Sequence, residues 1–362
     1  MAQIISLNTV WREIVKWGNG NETFHQKEVA MKTKLFAIAT IILLITVSSV
    51  AAADKVTLTF SSVSVPGDAH TRAMQMFKMT LKKLSDGQMD VDVYHSGQLF
   101  SQEAEIAAVR RGTIDIAYTS AGWNAEFVPY LSMLGAVYTF SGYKHMTKVL
   151  NGEIGGKIFE DVAKATSARP LAAFYLGTRQ LNLVERVGPV RHPKDMNGVK
   201  LRTPGSPTWI ALGKALGGNP TPMSFTEVYM GLKTGVIEGQ DNPLPTDKNA
   251  KFYEVTKYIV LTDHLADSVW PTINEKKWQS LSAKQKGWVT EAIEASRKAC
   301  DEQNLANEAK LVDFFKKKGL VIIDDPDKGA FQKYAKNSYL TESKDISKEW
   351  DLDLYEKIQQ AK

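Results

Sequence analysis

Apolar and polar residues alternate with period two in Lys55–Phe60 and again in Met89–Tyr94, while Met74, Phe77, Leu81 and Leu84 recur at helical spacing between them. The pattern predicts a strand, a helix over Ala69–Ser85 closed by Gly87, and a second strand. Ser101 then opens a helix through Arg111, Gly112 ends it, and Thr113–Tyr118 is a further strand. Strand, helix, strand, helix, strand is a βαβ succession, which implies a mainly parallel sheet.

A second succession follows. Leu171–Leu176 and Val199–Arg202 read as strands and Pro207–Leu216 as a helix, with Ser206 as its cap and proline in the first turn. Ser224-Phe-Thr-Glu227 is a capping box of the S-x-x-E kind, opening a helix that ends near Gly235. Val236–Gln240 and Tyr258–Leu261 continue the strands, so the chain contains two α/β units, each with its own core. Ser268–Ile273 reads as a linking strand, and Ser282-Ala-Lys-Gln285 is a second capping box. The helical pattern from that box continues to about Lys318. At 1.5 Å per residue it would span roughly 50 Å, more than one lobe, so it is expected to bridge both as a spine. A strand, Leu320–Ile323, and two helices around Phe331 and Trp350 complete the chain.

Charge adds little. The net charge of +5 comes from 45 basic residues scattered among 40 acidic ones, with no basic stripe for nucleic acid. The N-terminus adds more. From Met31 the chain runs through two lysines, an apolar run of about sixteen residues from Leu35 to Val50, and Ala51-Ala52-Ala53. This is the layout of a secretory signal peptide, shorter than a spanning helix, with cleavage expected after Ala53. The residues before Met31 are expected to derive from an upstream start codon. A lone cysteine, Cys300, excludes an internal disulfide framework.

Enzyme signatures such as G-x-S-x-G, H-E-x-x-H, the P-loop and G-x-G-x-x-G are absent, and the six histidines are isolated. Neither a metal nor a cofactor is expected. His70, after Pro66-Gly67-Asp68, belongs at the mouth of the first strand, either facing a ligand or capping a helix at the surface. Polar residues gather where strands are expected to end: Gly177-Thr-Arg-Gln180, Arg202, and Gly239-Gln-Asp-Asn-Pro243. Ligands of open α/β sheets bind outside such ends. Arg179 and Arg202 are suited to clamp a carboxylate, because the guanidinium fork matches both oxygens and stays charged. Asn242 adds an amide that donates and accepts. The plain alternatives are a surface loop for Arg179, a solvated charge for Arg202 and a turn for Asn242.

Taken together, Gly177-Thr-Arg-Gln180, Gly198-Val-Lys-Leu-Arg202, Asn219-Pro-Thr-Pro-Met223, Phe225-Thr-Glu-Val-Tyr229 and Gly239-Gln-Asp-Asn-Pro243 resemble the solute-binding proteins of TRAP transporters, the dicarboxylate-binding type. Tyr94-His-Ser-Gly-Gln-Leu99 and Arg111-Gly-Thr-Ile-Asp-Ile-Ala117 extend the likeness into the first unit. The resemblance implies an α/β, two-lobed periplasmic binding protein fold with hinge strands and one long helix spanning both lobes. It implies that Arg202 pairs with the ligand carboxylate, Arg179 supports it, Asn242 hydrogen-bonds it and Phe225 packs on the ligand. Trp123, after the third strand, and Trp209 on the opposite lobe would either sandwich an apolar or aromatic acid or belong to lobe packing. The boundaries read are 1–53 for the extension and signal peptide, 54–176 for lobe 1 with 268–307 returning to it, and 177–267 for lobe 2 with 308–362 packing on it.

The function implied is periplasmic capture of a small organic carboxylate (a dicarboxylate, a sugar or hydroxy acid, or an aromatic acid) for the membrane subunits of an ion-gradient-driven transporter. No ATP and no nucleic acid enter. The same protein would also serve to present its ligand to a membrane sensor. The rival class is a secreted α/β enzyme holding substrate with Arg179 and Arg202 and using Glu238 or Asp241 as base.

Overall fold

The computed structural model describes residues 55–362, together with Val29 and Lys32; the expected signal peptide lies outside the described residues. Ten strands follow one another as β1 Val56–Ser61, β2 Met89–Tyr94, β3 Ile116–Thr119, β4 Ala168–Pro170, β5 Phe174–Leu183, β6 Lys200–Thr203, β7 Asn219–Pro222, β8 Gly239–Pro243, β9 Tyr258–Asn274 and β10 Val321–Ile323. They form one sheet path, β2-β1-β3-β9-β5-β8-β6-β7, with β4 and β10 on opposite ends of β9. Pairs within each unit (β1 with β2 and β3, β6 with β7 and β8) are parallel, as the βαβ succession requires. The junction is antiparallel, β9 pairing with β3 at one end and β5 at the other.

The predicted linking strand Ser268–Ile273 and the strand Tyr258–Leu261 are therefore one continuous element that belongs to both units. Likewise β5 does not stop at Leu176 but runs to Leu183. The apolar run ends there because the strand passes from one core into the gap between two. Its register against β9 slips between Tyr175 and Gly177 and again between Arg179 and Leu181. The first slip is fastened to the long helix Ala283–Lys317. Asp301 accepts from the Tyr175 N–H (2.8 Å), Asn304 donates to the Tyr175 carbonyl (2.7 Å), and Glu308 accepts from the Thr178 N–H (2.6 Å) and the Tyr175 hydroxyl (2.8 Å). The second slip is filled by Gln180, whose amide donates to the Asp263 carboxylate (2.6 Å) and whose carbonyl accepts from the Asp263 N–H (2.9 Å).

The helix begins at the predicted cap. Ser282 and Gln285 exchange hydrogen bonds with each other's backbone in a capping box, and the helix holds 35 residues. Its first half packs Val289, Ala292, Ile293 and Cys300 into the core built on Leu58, Phe60, Phe77 and Leu81. Its second half packs Leu311 and Phe315 with Leu244, Ile259 and Leu320. It is the spine that its length implied. The last helix, Leu352–Gln360, departs from the expectation that 308–362 packs on lobe 2. Ile358 is buried among Leu131, Met146, Val149 and Trp270, and its carbonyl meets the His145 ring at 2.7 Å. The helical layer formed by 129–166 leaves an apolar surface for which the C-terminal segment is the cover.

Gly177 sits at φ +133°, where a Cβ would lie 2.4 Å from the Pro243 side chain and 2.8 Å from Glu308. Both the conformation and the space require glycine. Gly177→Ala is expected to cost at least about 2 kcal/mol, a fall of roughly 4 °C in Tm for a chain of this size. Thermal denaturation followed by circular dichroism measures it, and an unchanged Tm would show that this junction is not under constraint.

Candidate ligand-binding site

The side chains of one cavity come from both units and from the strands that join them. It encloses about 750 Å³ of empty space, counting its solvent-open part, and all seven residues singled out from the sequence line it: His70, Trp123, Arg179, Arg202, Trp209, Phe225 and Asn242. Strand pairing explains the convergence. Gln180 lies opposite Asn242 in the β5–β8 ladder and Arg202 opposite Gln240 in the β6–β8 ladder, so both arginines flank the strand carrying Asn242. Arg179 and Asn242 lie within strands rather than beyond their ends, because β5 and β8 run further than the apolar pattern marked.

The two arginines are in opposite states. Arg179, 5% exposed, donates from Nε to Asp267 (2.7 Å) and from Nη1 to the Asp241 carbonyl (2.6 Å), with the Asp241 carboxylate and the Asn242 amide oxygen each at 3.3 Å. Its guanidinium lies over the Trp209 ring, 4.6 Å from the centroid. Burial works against this charge, but Asp267 and Asp241 hold it above its usual pKa. Arg202, 2% exposed, donates from Nε to the Met223 carbonyl (2.8 Å). It forms no ion pair among the described residues, and its Nη2 is buried without a hydrogen-bond partner. Burial pulls it down from 12.5 to about 10, with Asp241 countering and Arg179 adding to the fall.

Other unpartnered buried atoms line the same cavity: Trp209 Nε1, Ser120 Oγ and His70 Nε2. His70 is not a surface capping residue. It is buried on the first turn of helix Ala69–Leu84 against Tyr118, and burial lowers its pKa to about 4, leaving the ring neutral. Trp123 and Trp209 sit in one hydrophobic cluster and also line the cavity. Phe225 lines it too, edge-on to Phe252.

Sequence reasoning missed the polar wall of the first unit: Ser62, Ser64, Asp68, Gln102 and Glu105. Glu105 is 1% exposed and accepts from Ser61 Oγ at 2.6 Å; burial raises its pKa to about 8, opposed by Ser61 and reinforced by Glu103. The signal was there, since Glu105, Ala108 and Val109 share one helix face and only the first is charged. Two expected caps also resolve differently. Neither Ser206 nor Ser224 caps its helix with its side chain; Ser206 Oγ donates to the Gly122 carbonyl (3.2 Å) and Ser224 Oγ to Glu103 (2.9 Å), both in the facing unit. Asn249 donates to Asp68 across the same divide (2.8 Å). These bonds bridge the two units beside the cavity.

A cleft between two α/β units, spanned by hinge strands and lined by an arginine without a counter-ion, defines a two-lobed binding protein. Residues 60–345 match the model of the bacterial extracellular solute-binding proteins, family 7, and the chain belongs to that family. A TRAP periplasmic solute-binding protein from Roseobacter denitrificans, solved with bound 3-deoxy-D-manno-oct-2-ulosonic acid, superposes with a TM-score of 0.80 at 33% identity, covering 85% of this chain and all of that one. A second from the same organism, with bound L-galactonate, gives 0.75 at 30% identity over 82% of this chain and 98% of its own. The sialic acid-binding periplasmic protein of Vibrio cholerae is 30% identical over 77% of this chain and 86% of its own. The family consists of solute-binding proteins, and the enzyme reading falls with it. Glu238, one of its proposed bases, pairs with Arg186 on the surface, and the other, Asp241, is fixed between Arg179 and His264.

Glu105 gives the protein a pH signature. Its folded pKa of about 8 exceeds the ordinary 4.5, so the native state binds the extra proton between these values and stability falls as pH rises through the window. Glu105→Gln removes that loss. Its Tm is expected to match the wild type at pH 4.5 and exceed it by a few degrees at pH 8.5; parallel Tm curves would refute the assignment.

Proposed function

We propose that the chain captures a small organic carboxylate by closing its two lobes, with Arg202 as the anchor, and delivers it to the membrane subunits of an ion-gradient-driven TRAP transporter. The observation that carries this reading is Arg202, a buried guanidinium with one Nη unpartnered on the cavity between the two units. At about 1.4 kcal/mol per tenfold, the fall from 12.5 to about 10 amounts to roughly 3 kcal/mol of strain against the folded, ligand-free state. A carboxylate placed there relieves it through a charge-assisted bond. Arg179 has its own carboxylates and acts as a support, holding Trp209 and Asn242 in place. Phe225, Trp123 and Trp209 supply the apolar floor, and His70 a neutral hydrogen-bonding group. The acids bound in the two Roseobacter structures support a carboxylate as the ligand class.

In this reading lobe 1 comprises 54–176 with 268–307, and lobe 2 comprises 177–267 with the segment from 308 through helix Lys328–Leu340, while Leu352–Gln360 returns to lobe 1. Export begins at the signal peptide near Met31, with cleavage after Ala53.

Arg202→Ala is expected to abolish carboxylate binding, at least about a hundredfold, while leaving the ligand-free Tm unchanged or raised, because a buried charge without a partner has been removed. Arg202→Lys is expected to lose most of the affinity, since an ammonium does not reproduce the fork. Isothermal titration against dicarboxylates, sugar acids, hydroxy acids and aromatic acids measures both. Wild-type affinity in either variant would sink the anchor.

A further inference from the structure

We infer that the lobe 1 wall built on Glu105 and Asp68 selects the ligand, admitting acids with a single carboxylate and a hydroxylated, uncharged far end, and rejecting dicarboxylates. This rests on the reading of Arg202 as the carboxylate anchor.

The charged groups lining the cavity are unevenly divided. Both guanidinium groups, Arg179 and Arg202, stand on the lobe 2 strands β5 and β6, and Asp267 faces them from β9. The charged residues of the opposite wall are Asp68 and Glu105, with His70 neutral between them. The nearest cation to Asp68 is Arg72, which is exposed, is tied to the Gly67 carbonyl and to Gln303, and does not line the cavity. Glu103, on the same helix as Glu105, adds negative charge. No cation therefore lines the acid wall. Burial raises Asp68 to about 6, against the hydrogen bonds from Asn249 and the Val65 N–H and the charge of Arg72, and raises Glu105 higher still.

A ligand whose carboxylate sits at Arg202 directs its other end towards this wall. A second carboxylate there would be desolvated against two carboxyl groups with no cation to meet it. An aromatic face would leave Ser120 Oγ and His70 Nε2 buried and unsatisfied, and would offer nothing to the second oxygen of Glu105. Hydroxyl groups meet every requirement. They donate to the free oxygen of Glu105, whose Oε1 is already taken by Ser61, and they exchange hydrogen bonds with the serines and the imidazole.

Matched pairs test the selection: D-galactonate against galactarate, and D-gluconate against D-glucarate, with succinate, D-glucuronate and benzoate alongside. Each is titrated calorimetrically at pH 8.5 into the wild type, Glu105→Gln, Asp68→Asn and Arg202→Ala. The expected result is that the best monocarboxylate sugar acid binds at least about a hundredfold more tightly than any dicarboxylate or benzoate. Glu105→Gln or Asp68→Asn should narrow the gap to dicarboxylates at least tenfold, where a merely structural role would weaken all ligands alike and leave the ratio fixed. A dicarboxylate or benzoate that binds the wild type as tightly as any sugar acid, yet is lost in Arg202→Ala, overturns the selection and leaves the anchor standing. So does a ratio that neither wall variant moves. Binding that survives Arg202→Ala, or no binding by any of these acids, overturns the anchor and the selection together.

Discussion

Two guanidinium groups lie side by side in the interior, and one of them is unpaired. Burying an arginine is tolerable when carboxylates surround it, as Asp241 and Asp267 surround Arg179, and costly when they do not. Arg202 is the costly one. The sheet forces the juxtaposition, because β8 lies between β5 and β6 and fixes both arginines relative to Asn242. In the proposed reading a ligand carboxylate is the complement that this arrangement lacks, and the hinge, the spine and the tryptophan floor serve to deliver and enclose it.

Much of this was legible along the chain. Strict alternation marked β2 to the residue, and Ser101 and Gly112 bounded a helix whose ends match the structure. The Ser282 box and the absence of proline announced the spine. All seven candidate site residues meet at one cavity. What was not legible has a common cause. The elements that join the lobes change environment midway, so periodicity fails where they cross: β5 seemed to end at Leu176, and β9 seemed to be two strands. Ser206 and Ser224 read as caps because local sequence carries the backbone's needs, while their partners, Gly122 and Glu103, lie across the cleft. The acid wall was hidden for a similar reason. A glutamate on a helix that also carries arginines looks solvated until the strand residue beneath it, Ser61, is seen to bury and bond it.

The hinge also shows how local strain and global shape are joined. At its first slip β5 loses regular pairing with β9, and Asp301, Asn304 and Glu308 take up backbone and hydroxyl groups around it. The strand is thereby fastened to the middle of the spine, between the half that packs on one core and the half that packs on the other. A rotation of the lobes must work through this fastening and the Gln180–Asp263 bulge, just before and just after Arg179 in the chain. Closure and the support of the anchoring arginine are thus mechanically one event.

The closed state is unfavourable without a ligand, and that sets the direction of the switch. The direct hydrogen bonds named across the cleft are few: Asn249 with Asp68, Ser224 with Glu103, Ser206 with the Gly122 carbonyl. Each is worth about 1 kcal/mol net. Against them stand Arg202 Nη2, Trp209 Nε1, Ser120 Oγ and His70 Nε2, buried without partners on the same cavity, at about 1–3 kcal/mol apiece and more for the charge. The penalties exceed the bonds, so an empty protein does not gain by closing. A ligand that satisfies those four atoms removes the penalty and keeps the bonds, and because the atoms come from both lobes it does so fully only when the lobes meet. The differential affinity that drives closure therefore resides in the unsatisfied atoms rather than in the contacts already made.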